Sequence, residues 1–87
     1  MILPLDVQIA RLRVLTQMAL GELPITVTAV YQDEGVFMVE LHHITDGPYW
    51  FALSNRVMRM NDTCILDVLD EHIEYLLDIL WDRLDTF

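Results

Sequence analysis

Apolar residues recur at helical spacing near both ends of the chain and alternate with polar ones in between. From Pro4 or Asp6 to Leu20, the side chains of Leu5, Ile9, Leu12, Leu15, Thr16 and Ala19 fall on one side of a helix. Pro4 suits its first turn, Asp6 is an alternative cap, and Gly21 is a stop. A second apolar strip, Val7, Val14 and Met18, lies on another side of the same helix. Two apolar sides predict that the helix packs on a sheet with one and touches something else with the other.

The middle of the chain changes period from 3.6 to 2. PITVTAVYQ, residues 24–32, is β-branched and alternating, and QDEGV around Gly35 is a hairpin turn signal. VFMVELHHI follows, with Phe37, Val39 and Leu41 on one face and Met38, Glu40 and His42 on the other. TDGP, residues 45–48, marks the next turn and Tyr49–Leu53 the next strand. After Ser54 and Asn55, RVMRM reads as a brief fourth strand. Helical spacing then returns after Asn61, Asp62 and Thr63, any of which can cap a final helix of about twenty residues. The order α-β-β-β-(β)-α predicts an α+β fold of two layers: an antiparallel meander sheet covered by the N- and C-terminal helices, in one compact domain spanning residues 1–87.

The last helix is sharply divided. At about 100° per residue, Asp67, Asp70, Glu71, Glu74, Asp78, Asp82 and Asp85 fall within an arc of about 120°. Ile65, Val68, Leu69, Ile73, Leu76, Ile79 and Leu80 fill most of the remainder, and Arg83 projects among them. The acids extend about 27 Å along the axis, one per ~4–5 Å, close to the ~3.4 Å axial charge spacing of a single DNA strand. This face breaks three local preferences. Acids repeat at i,i+3 and i,i+4, which costs about 0.2–0.5 kcal/mol per pair. Five of the seven are aspartate, a poorer helix former than glutamate. Asp82 and Asp85 sit at the negative end of the helix dipole. Trp81 projects into the same arc, between Leu77 and Asp85, as an aromatic anchor beside carboxylates.

Charge extends this picture to the whole molecule. The net charge is −9, and the five basic residues are Arg11, Arg13, Arg56, Arg59 and Arg83, with no lysine to neutralise the acids. Hydrophobic residues make up 54% of the chain, above the usual ~45–50%, so an apolar face in need of cover is expected. Direct nucleic-acid binding is disfavoured, because phosphates need a positive surface. Cys64 is the single cysteine, so no disulfide forms within the chain and a cytoplasmic setting is expected. The opening MILPLDVQIARL lacks a basic segment and meets Asp6 early, unlike a signal peptide, and no uncharged run reaches the ~20 residues of a membrane span.

Catalytic and metal chemistry find little footing. His42 and His43 point to opposite faces of a strand, and Glu40 with His42 matches no zinc spacing, so no metal and no cofactor are expected. Cys64 opens the last helix, where a thiol is activated, but no nucleophile motif surrounds it and it reads as a small buried hydrophobe. His72 belongs at the edge of the core, and Trp50, facing away from Tyr49 and Phe51, on the outer sheet surface. Gly21, Gly35 and Gly47 are isolated and mark turns, not a phosphate loop.

The expectation is therefore a non-enzymatic protein-binding module. Asp67, Asp70, Glu71, Glu74, Asp78, Trp81, Asp82 and Asp85 would cover a basic surface of a partner, such as a nucleic-acid-binding enzyme. In size and charge the chain resembles the small acidic inhibitors that phages and mobile elements direct against host nucleases in the anti-restriction or anti-CRISPR manner. That resemblance implies occlusion by mimicry of nucleic acid. The alternative is a structural homo-oligomer or assembly adaptor with a solvated acidic face. Its interface would combine Val7, Val14 and Met18 with the broad apolar side of the last helix.

Overall fold

The structure, a computed structural model, describes residues 3–45 and 47–85, the last three of these as backbone alone. Its fold is α+β. Helix α1 spans Leu5–Leu20, strands β1, β2 and β3 span Ile25–Asp33, Val36–His43 and Gly47–Ser54, and helix α2 spans Asp62–Asp85. The strands form one antiparallel meander in the order β1-β2-β3. Both helices lie over the same side of the sheet, and among the described residues its other side carries no element.

Each helix buries the stripe that its spacing selects. From α1, Leu12, Leu15, Thr16 and Leu20 go inside, and from α2, Ile65, Leu69, Ile73, Leu76 and Leu80 do so. They meet Ile25, Val30, Phe37, Val39, Leu41 and Leu53 from the sheet. Thr16 is tolerated in this core because its hydroxyl donates to the Leu12 carbonyl oxygen at 2.7 Å. Leu5, assigned to the buried stripe by spacing, is instead substantially exposed at the first residue of the helix.

Turn chemistry sets the register. Asp33 pairs with Val36, leaving a two-residue loop in which Glu34 and Gly35 have φ of 47° and 82°. Positive φ at both positions gives the twist that a tight hairpin needs, and Gly35 supplies it without a Cβ clash. In β1 the pairing skips Thr28, so that Val27 faces Leu41 while Ala29 faces Glu40. This bulge reverses the alternation: Ile25 and Val27 point inward before it, Val30 after it.

The expected fourth strand is absent. Val57–Arg59 forms a 3₁₀ turn, which lets the adjacent residues Val57 and Met58 both enter the core, whereas a strand would turn one of them out. Met60 is 42% exposed just beyond it. The carbonyls that a strand ladder would have used go to Arg11. Its Nη1 donates to Met58 O at 3.0 Å, its Nη2 to Met60 O at 3.0 Å, and Nε and Nη2 both donate to Asp62 Oδ1 at 2.9 and 2.6 Å. Arg11 thus ties the middle of α1 to the 3₁₀ turn and to the start of α2. There Asn61 is the cap, its Oδ1 accepting from the Cys64 N–H at 2.9 Å. Because α1 runs back into β1, and α2 leaves the far end of β3, the two helices run in the same direction.

Candidate functional site: the acidic face of α2

The phase of α2 is fixed by Ile65, Leu69, Ile73, Leu76 and Leu80, which are at most 8% exposed. With that side pinned to the sheet, the opposite side is held in water. Asp67, Asp70, Glu71, Glu74, Asp78 and Asp82 are all exposed there, a row about 22 Å long. The backbone of Asp85 continues the helix, but its side chain, like those of Arg83 and Leu84, lies outside the described residues.

Asp67, Asp70, Glu71, Glu74 and Asp78 form no ion pair among the described residues. The arginines with described side chains are elsewhere: Arg11 is committed to Asp62, Arg13 is half-buried on α1, and Arg56 and Arg59 are exposed around the 3₁₀ turn. Asp62 pairs with Arg11, and it sits in the first turn, where the helix dipole also favours a negative charge.

Two aromatics flank the acids. Trp81 is 62% exposed, as its projection required, and does not fold back into the core. Tyr75, which the sequence reading passed over, is 69% exposed on the other flank. The same projection contains it, at about 80° from Asp67 and just outside the edge of the acidic arc. Cys64 is also on this side and exposed, contrary to the expectation of burial. It lies three residues before Asp67 and seven before Glu71, so the helical phase set by Ile65 turns it outward whatever its own preference.

The candidates for other chemistry are dispersed. His42 is exposed on the outer sheet face, while His43 is half-buried on the other and accepts at Nδ1 from the Thr45 N–H at 3.4 Å. Asp46 lies outside the described residues. His72 stacks on Phe51 with ring centroids 4.5 Å apart and planes 7° apart, which makes it a packing residue at the core edge. Among the described residues no group of three or more His, Cys, Asp or Glu could hold a metal ion. A depression of about 820 Å³ is lined by Arg11, Arg59, Gln8, Gln32 and Asn55 among others. Much of its polarity is spent internally: Arg11 on the contacts above, Gln8 on the Leu3 carbonyl, and Gln32 on Asn55 Oδ1 at 3.4 Å.

Two further exposed surfaces are apolar. Val7, Val14 and Met18 stand on the solvent side of α1, 43%, 54% and 62% exposed. On the outer sheet face, Trp50 is 65% exposed across from Glu40. Tyr31 donates from its hydroxyl to Glu40 Oε1 at 3.4 Å there, and desolvation together with the Glu40 charge raises the phenol above its usual range.

No protein-family model, curated protein or solved structure matches the chain. No described helix is long and apolar enough to cross a membrane.

Proposed function

We propose that this chain is a non-enzymatic protein-binding module that uses the acidic face of α2 to cover a basic surface of its partner. The observation that carries the reading is the exposed row Asp67, Asp70, Glu71, Glu74 and Asp78, unpaired with any described cation and bordered by Trp81. A row of charges opposed by the local preferences of a helix, and held outward by a fully committed core side, is what a docking face for cations requires. Its charges steer a basic partner over long range, and Trp81 offers an anchor among them. The spacing of the carboxylates suits a surface that otherwise holds nucleic-acid phosphates, so the partner is a nucleic-acid-binding protein and the effect is competitive occlusion.

The test is competition. A basic protein retained by the chain at low salt is purified and loaded with a labelled oligonucleotide, and the chain is titrated in. Release of the oligonucleotide by the wild-type chain, but not by a chain carrying Asp70→Asn, Glu74→Gln and Asp78→Asn, is the expected result. Equal release by both chains, or binding without release, would overturn the reading.

A further inference from the structure

We infer that α1 is a self-association surface, on which a second copy of this chain packs its own α1 in parallel about a two-fold axis. This inference is independent of the role proposed for α2.

Val7, Ala10 and Val14, with Gln17 next in the series, follow a spacing of three and four residues along the solvent side of α1, and Met18 adjoins them. They border a groove of about 430 Å³ whose lining is mostly apolar and which runs to Leu66 of α2. The broad apolar side of α2, the other part of the interface expected from sequence, is consumed by the core: Ile65 and Leu69 are 0% exposed. Among the described residues the α1 strip remains uncovered on the helical side, as do Tyr75 and Trp81 on α2.

Charge selects a second copy as the occupant. Residues 5–20 carry Asp6, Arg11 and Arg13, a net +1, while residues 62–85 carry eight acids and one arginine, a net −7. A chain of net charge −9 repels itself least over α1. Charge also selects the orientation. The α2 acid row points away from the sheet beside α1. An antiparallel face-to-face pair would lay one acid row over the other, whereas a two-fold axis running along α1 places the two α2 helices on opposite outer flanks. In that parallel register Val7, Ala10 and Val14 meet their own equivalents. Asp6 on one flank then approaches Arg11 of the second copy five residues further on, the usual ion-pair spacing of a parallel pair. Arg11 has one N–H, on Nη1, left over from its four internal hydrogen bonds to receive it.

The strip is small. A helix of 16 residues is about 24 Å long, so the pair falls short of a standard interface of ~1,600 Å² and dissociates between about 10 µM and 1 mM. Sedimentation velocity from 10 µM to 1 mM reads this as a rise from monomer towards dimer mass. Val14→Glu and, separately, Met18→Glu are expected to hold the chain as monomer throughout, with unchanged circular dichroism, since both sites are exposed. Trp50→Glu, on the outer sheet face, is expected to leave the dimer intact. In a Cys64→Ser background, Gln17→Cys is expected to crosslink with its own equivalent under oxidised glutathione. A monomer at 1 mM, or a dimer that survives both glutamates, overturns the inference. A dimer in which Gln17→Cys does not crosslink overturns the parallel register.

Discussion

Helices α1 and α2 lie side by side on one sheet, and each buries a stripe of large aliphatic residues in the same core. Their solvent sides are opposites. That of α1 is apolar and its helix carries a net +1; that of α2 is a row of carboxylates with exposed Trp81 and Tyr75 at its borders. Core formation constrains only the inner half of each helix, so the outer halves are free to differ. What α2 presents is the costlier choice. Val7, Val14 and Met18 introduce no like-charge repulsion into α1. The acids of α2 repel one another along the whole face and are tolerated only because the inner side holds the helix in place.

If the inner halves are equivalent, Leu12→Ala and Leu69→Ala should damage the fold alike. Both residues are fully buried, and each truncation is expected to cost about 2–5 kcal/mol in urea unfolding. Much of the stability available to a domain of this size would be lost, so a mild effect at only one of the two sites would break the equivalence. Arg11→Ala comes next, at about 1–3 kcal/mol, because it frees the Met58 and Met60 carbonyls and unties α1 from α2; the exposed Asp62 contact contributes little of this. Retained stability in this variant would mean that the helices are held by apolar packing alone.

Neutralising α2 should act in the other direction. Asp70→Asn, Glu74→Gln and Asp78→Asn together are expected to stabilise the chain by about 1–2 kcal/mol at low salt, a rise in Tm of roughly 4–10 °C. The gain should vanish near 1 M salt, where the screening length falls to about 3 Å. No gain at low salt would show that the row carries no internal repulsion.

The smallest effect lies on the far side of the sheet and serves as a control on both helices. The folded-state pKa of Tyr31 is raised above 10.0, so its contribution to stability is intact below pH 10 and lost as pH rises through the folded value. Tyr31→Phe should remove that alkaline loss, read by thermal melts between pH 9 and 11, and leave the behaviour of both helix faces unchanged.

Most of this architecture was legible because periodicity reports burial directly. The helices, the three strands, the Gly35 hairpin and the outward position of Trp50 all follow from which residues recur on which side. The acid row was legible for the same reason, since a 24-residue helix leaves little doubt about phase. Features set by partners distant in sequence were not. RVMRM alternates like a strand, yet Arg11, about fifty residues away, captures its carbonyls and favours a 3₁₀ turn. The skip at Thr28 depends on β2, and nothing in PITVTAVYQ marks it. Cys64 is exposed because helical phase outweighs the preference of a cysteine for burial, and Tyr75 is exposed just beyond the edge of the charged arc.

The central claim, that the acidic side of α2 is a docking face, is tested most directly by the affinity of the purified partner for the wild-type and triple-neutralised chains across a salt series. A docking face predicts that neutralisation weakens binding at least tenfold at low salt, flattens the dependence of log Kd on log salt, and leaves the fold more stable. Equal affinity and equal salt dependence for the two chains would contradict it and leave the acids as a solvated surface.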